Sequence, residues 1–507
     1  MTAGLRSAAP VTKSRTRPLR AVVVGSGLGG LAVAIRLLAA GLEVTVVEAA
    51  ATPGGRAGRI REQGYTFDTG PSLITMPQLL DQLFQLAGTT TEEQLTLHRL
   101  EPFYRIHWRS EPRFFDFGSD PEQMREQIGQ FSTSDAGRYP AFIEQSRRIY
   151  EEAILGAGTS SFLRLRDFVQ LVPKMIGLRA LRSVEHFVEA YFDDVHVRQA
   201  FSFHPLFIGG DPYRVPAVYA ALAFLQIESG VWYSDGGVYS LVEALEGLVR
   251  TGGAVRYGDP VVEIRRADGR VTGVRTASGA LHPADFVISN ADVVETSRLL
   301  LGDRRTSDPQ LTMSCFLLYL GTDRVFPELA HHTLLVGDDY RGFIGDVTRR
   351  GRLGASPSLY LHAPTRTEPE MAPPGADAIS VLLPVPNLRS GIDWRAAEAG
   401  VREQVLAAME GVGGLHLAGL RESLRFERSW TPVDFKTALR AQLGSAFGPS
   451  PTLLQSAYFR QPNRDRRVKG LYHVGAGTHP GAGIPGVLMG AEVTAQLLLE
   501  EARAWRS

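Results

Sequence analysis

The chain has 507 residues, 44% hydrophobic and 21% charged, with 54 Lys and Arg against 54 Asp and Glu. That is a folded composition with room for two core-forming units, and zero net charge argues against a nucleic-acid binder. A single cysteine, Cys315, excludes a disulfide framework and a CxxC metal site.

In chain order, residues 1–19 carry Arg, Ser and Thr and no acid. They read as a disordered basic tail, and the same composition suits a transit peptide. Residues 21–24 (AVVV) form an apolar run suited to a buried parallel strand. Gly25, Gly27 and Gly30 then form GxGxxG, with Leu28 and Gly29 between them, and "LAVAIRLLAA" is helical up to Gly41. "EVTVVE" is a second strand ending at Glu48. Such glycines permit a tight turn, close approach to a pyrophosphate and close helix–strand contact, and an acid about 20 residues on accepts the ribose hydroxyls. The helix N-terminus favours the anion. The acid weighs against a 2′-phosphate, and so against NADP.

"PGGRAG" supplies a second glycine turn, with Gly55 and Arg56, and "GYTFDTGPS" a third. No stretch reaches the ~18 apolar residues of a spanning helix. "VPAVYAALAFLQI" (Val215 to Ile227) suits a buried core helix. The segment from Arg166 to Val188 mixes apolar with basic residues and is interrupted by Pro173. It reads equally as an interfacial helix, with Leu178 on its apolar side, or as a core-packed one. Residues 236–292 read as a helix followed by strands, with Val261 and Val262 placed to lie against an adenine. His331 and His332 are adjacent, a poor spacing for a helical metal pair, and no metal is expected.

Near the C-terminus, "LYHVGAG" reads as a strand entering a turn at Gly475 and Gly477. Pro485 and Gly486 open a helix whose N–H groups, at Gly486 and Val487, suit the electron-rich side of a reduced flavin. A cofactor held from both ends of the chain is long, which favours FAD. The expected fold is α/β: a Rossmann-like FAD-binding domain (20–100, 236–300 and 441–507) with an interleaved α+β substrate and membrane-associating domain (101–235 and 301–440).

Through "VVGSGLGGLAVAIRL", "PGGRAG", "FDTGPSLIT", "AFSFHPLFIGGDPYRVPAVYA", "LAHHTLLVGDDYR", "SLYLHAPT" and "GLYHVGAGTHPGAGIPGVLMGAE", the chain resembles the bacterial-type phytoene desaturases. These are carotenoid desaturases of the FAD-dependent amine-oxidase-like superfamily, and the resemblance spans nearly the whole chain. It implies desaturation of a long acyclic polyene such as phytoene toward neurosporene or lycopene, with FAD accepting hydride and a quinone or oxygen as the final electron acceptor. It also implies a cytoplasmic enzyme held peripherally at a membrane surface. A 4,4′-diapophytoene desaturase and a hydroxycarotenoid 3,4-desaturase fit the same motifs. A flavin amine oxidase or a non-catalytic prenyl-binding protein are the readings from other classes. Asp167 matches an acid that the family carries and is the candidate for proton transfer. Some relatives place a basic residue where this chain has Gln170, and a helix-surface acid is the alternative reading.

Overall fold

The computed structural model describes residues 17–156, 158–303, 309–411 and 415–506. Of the expected N-terminal tail, residues 1–16 lie outside the described residues. Residues 17–19 are described, and Arg17 makes two hydrogen bonds to the Asp285 carboxylate at 2.6 and 2.7 Å.

Strand β1 (Arg20–Val24), helix α1 (Leu28–Ala39) and strand β2 (Glu43–Val47) form the first βαβ unit. β1 and β2 run parallel with Val22 opposite Thr45. They occupy the middle of a five-stranded sheet ordered 471–473, 286–289, 20–24, 43–47, 254–256, and its pairings are all parallel. β1 reads as an unbroken β-branched run because both faces are covered, and Ala21 to Val24 are all buried. α1 lacks a polar stripe for the same reason. It lies between the sheet, the helix at 239–252 and the long C-terminal helix Ile484–Arg506. Leu28 to Ile35 are buried without interruption. The helix stops at Gly41, whose φ of +80° is open to glycine without strain.

A second, seven-stranded sheet is ordered 424–430, 314–322, 378–385, 359–362, 332–336, 104–108, 114–117. Its strands come from two widely separated parts of the chain, joined where 104–108 pairs parallel with 332–336. The other pairings are antiparallel. The strand at 314–322 is buried at all nine positions, so Cys315 is an inert core thiol whose pKa burial raises to about 12.

The Arg166–Val188 segment is two helices, Leu165–Gly177 and Val184–Glu189. Leu178, expected on an exposed apolar side, is buried, and its carbonyl accepts a hydrogen bond from Gln145. The exposed large apolar residues here are Leu165, Val169, Ile176 and, at the margin, Leu181. Phe168 stacks edge-on to Phe459 at 5.3 Å, which brings exposed Leu454 and Phe459 to the same side. No described helix is long and apolar enough to cross a membrane.

Candidate active site

A cavity of about 1190 Å³ opens where the C-terminal ends of the parallel strands meet the second sheet. Gly25, Gly27, Leu28, Gly29, Glu48, Gly55, Arg56, Gly475, Gly477, Gly486 and Val487 all line it. Residues from both ends of the chain are thus brought to one wall.

The wall has the chemistry of a dinucleotide cradle. α1 begins at Gly27 with no side-chain cap and no acid in its first turn, which leaves its N-terminal N–H groups and dipole for an anion. A side chain on the glycines would fill the cradle. A Cβ at Gly27 would lie 2.8 Å from the Asn290 amide nitrogen, and one at Gly475 would lie 2.7 Å from its oxygen. Gly30 does not line the cavity. A Cβ there would fall 2.2 Å from Gly25 O, so its role is close packing of helix on turn. The Glu48 carboxylate accepts from Ser26 N at 2.7 Å, Ser26 Oγ at 2.8 Å and Ala50 N at 2.8 Å. It holds the glycine turn in place while facing the cavity. The Arg56 guanidinium also lines the wall and makes a 3.4 Å bond to Ser445 O. Burial lowers its pKa, and Asp292 acts in the opposite sense. A desolvated cation on a cradle of N–H groups suits a phosphate-bearing ligand.

Three expected contacts are corrected. Of the pair at 261–262 it is Val261 that lines the cavity, while the Val262 side chain is exposed. Strand alternation turns it outward, and a bulge between Val261 and Glu263 leaves Val262 without a register partner. The Val487 N–H donates to Gly483 O at 3.0 Å, so it is not free for a ligand. Asp167 is outside the cavity wall. It sits in the first turn of the helix at 165–177, 3.5 Å from the Arg166 guanidinium.

Other wall residues were not legible in the sequence. Asn290 stands at the end of strand 286–289, between the two glycine turns. Arg460 is buried and donates to Ala476 O at 2.6 Å and Thr478 O at 3.1 Å, shaping the loop ahead of the C-terminal helix. Beyond the cradle the wall turns apolar, with Phe203, Leu206, Phe207, Leu222, Leu334 and Phe343. Ser72 and Tyr360 add hydroxyls there, 2.5 Å apart. Behind Tyr360 lie three buried histidines, 331, 332 and 362, with one nitrogen of each within 4.8 Å of the others. The adjacency of His331 and His332 carried no such signal, because the third ring arrives across the sheet, where His362 pairs with His332.

The parallel sheet, the glycine cradle and the capping second sheet define a nucleotide-binding oxidoreductase of the flavoprotein class. The family of flavin containing amine oxidoreductases matches residues 28–499. A lycopene-forming phytoene desaturase of Pseudescherichia vulneris is 41% identical over 95% of this chain and 99% of its own length. A neurosporene-forming phytoene desaturase of Cereibacter sphaeroides is 37% identical over 96% of each chain. A crystal structure of an oxidoreductase from Methanosarcina mazei superposes with a TM-score of 0.64 at 18% identity, covering 94% of this chain and all of that one, which speaks for the fold. The chain belongs to the flavin containing amine oxidoreductase family, in its bacterial phytoene desaturase branch. Its cofactor is FAD.

Proposed function

We propose that this protein desaturates a long acyclic polyene of the phytoene type toward neurosporene or lycopene. The observation that carries this reading is the continuity of the cavity, which joins the flavin cradle to an apolar arm walled by Phe203, Phe207, Leu222 and Phe343. When bound, the flavin supplies a two-electron acceptor for hydride. Glu48, Arg56, Gly475 and Gly486 are the residues that would hold and orient it. The apolar arm aligns the polyene and excludes water, and positioning of this kind is a large share of what a hydride transfer needs. A polyene cation is delocalised, so the chain need supply only a weak base for the proton.

We also place the enzyme at a bilayer surface. A substrate of this kind resides in lipid, and the exposed apolar residues Leu165, Val169, Ile176 and Leu454 form the face that would meet it, without a spanning helix. The test is expression in a phytoene-producing host with chromatography of the pigments. Conversion of phytoene to a more unsaturated product supports the reading, and unchanged phytoene with flavin-loaded protein present overturns it.

A further inference from the structure

Arg460 is a buried cation without an acid. It lines the cavity and is 4% exposed. Its Nε donates to Thr478 O at 3.1 Å, one terminal nitrogen to Ala476 O at 2.6 Å and the other to Gln455 O at 3.3 Å. These bonds leave two of the five guanidinium N–H donors for a ligand. All three acceptors are neutral backbone carbonyls, and no Asp or Glu bonds to Arg460 among the described residues. Arg56, on the same wall, has Asp292 acting on it. The half-buried Arg366 bonds both oxygens of Asp377, at 3.0 and 2.6 Å. At Arg460 burial lowers the pKa, and the titratable group that opposes it is the Tyr219 phenol rather than a carboxylate. His479, alongside, stays neutral: burial first, and then the charge of Arg460, bring its pKa down to about 4.

The fold holds this charge against the loop at the start of the C-terminal helix. Gln461 pairs with Thr478 in a parallel bridge, which lays residue 460 along the loop from Ala476 to Gly483. Gly481 and Gly483 of that loop line the cavity with Arg460. A Cβ at Gly481 would rest 3.7 Å from Arg460 Cζ, so the glycine leaves that face of the guanidinium uncovered. A buried charge without a counter-charge is strongly disfavoured. A neutral amide could brace the same carbonyls, so a cation is called for only where negative charge arrives. Hydride brings two electrons and one proton to the flavin, which then carries −1, chiefly over N1 and C2=O of its pyrimidine edge. The start of the C-terminal helix does little to meet that charge. Pro485 has no N–H, and the Val487 N–H is engaged by Gly483 O.

We propose that Arg460 is the counter-cation of the reduced flavin: it holds the negative charge at the pyrimidine edge, keeps N1 unprotonated and so strengthens the flavin as a hydride acceptor. The proposal rests on the flavin's role in the proposed function. In the step concerned, a substrate C–H bond breaks and its electron pair travels with the hydrogen to flavin N5, forming an N–H bond. The substrate is oxidised by two electrons and carries +1 until a proton leaves its neighbouring carbon. The flavin is reduced by the same two electrons and carries the −1 that Arg460 balances.

The test is a spectroelectrochemical titration of the flavin-loaded protein without polyene, run across pH beside free FAD. The slope of midpoint potential against pH breaks where uptake on two-electron reduction passes from two protons to one. That break is expected about one to three pH units lower in the protein than in free FAD. Arg460→Gln keeps an amide to brace the loop and removes the charge. It should move the break back by about one unit or more and lower the midpoint above the break by about 30 mV for each tenfold lost. It should also weaken sulfite binding about 10-fold or more, because sulfite adds its lone pair to flavin N5 and leaves the same negative charge on the pyrimidine edge. Arg460→Lys should restore most of all three. A residue that only braces the loop would change flavin content or melting temperature and leave the break and the sulfite affinity where they were. A wild-type break at the free-FAD value overturns the proposal, whether or not the variants fold. So does an Arg460→Gln protein that retains flavin with its break and sulfite affinity unchanged. The electrons come from an electrode, so failure here leaves the polyene reading standing, and a flavin that no acyclic polyene reduces would overturn that reading and not this one.

Discussion

Leu454 is the sharpest probe of the bilayer face. It is 73% exposed on a short 3-10 turn beside Phe459, which stacks on the helix at 165–177. Fully burying a leucine is worth about 1.5–3 kcal/mol, so inserting the exposed three-quarters of this side chain into lipid contributes about 1–2 kcal/mol. Leu454→Asp removes that gain and adds a charge that lipid does not solvate. Vesicle affinity should fall about 5- to 30-fold, read by liposome co-sedimentation, with little sensitivity to moderate salt because the contact is apolar. Stability should move by less than about 0.5 kcal/mol, since an exposed site has no packing to lose. Leu178 is the internal contrast. It is only 6% exposed, so an acid there should unfold the region and says nothing about the membrane. Unchanged co-sedimentation of Leu454→Asp and Ile176→Asp, each with a normal melting temperature, would refute the assignment of this face. Full turnover by a lipid-free, detergent-free preparation would refute the need for a bilayer.

The other expectations concern the cofactor and pH. Glu48→Ala leaves the Ser26 and Ala50 N–H groups without their acceptor and removes charge-assisted bonds of about 1.5–3 kcal/mol each; flavin content on purification should drop, and full occupancy would show that the ribose lies elsewhere. At Gly486 a Cβ would lie 2.7 Å from Gly481 O, so Gly486→Val should displace the loop at the cavity mouth and slow flavin reduction in a folded protein; normal reduction kinetics would dismiss this placement. Asp68 is buried and accepts from Val238 N and Tyr239 N at 2.9 and 3.1 Å. Burial outweighs those bonds and raises its pKa to about 7. The folded state then holds a proton that the unfolded chain releases near pH 4, so stability from this group is complete below about pH 4 and is lost as pH rises to about 7. Urea midpoints at pH 5 and pH 8 should differ in that sense in the wild type, and a difference that persists in Asp68→Ala would assign it to another group.

The features legible without tertiary information are those whose signal is local. The βαβ unit from Arg20 to Glu48 was legible because strand, glycine turn, helix and acid are contiguous and each glycine has a steric reason. The same holds for the turn at Gly475 and the helix start at Gly486. The helix runs from Ile484 to Arg506, with a first turn that engages the Val487 N–H. Tertiary structure decided everything that depends on pairing distant segments. Whether Val261 or Val262 faces the cavity is set by a bulge. Leu178 is buried, with Gln145 bonded to its carbonyl, which its own apolar–basic pattern does not announce. Asp167 is adjacent to the right kind of sequence and absent from the cavity wall. The cluster of three histidines exists only because the strand at 332–336 lies beside the one at 359–362 in one particular register. A slip of one residue would turn one strand's side chains to the opposite face, and nothing local to "LAHHT" or "SLYLH" records that register.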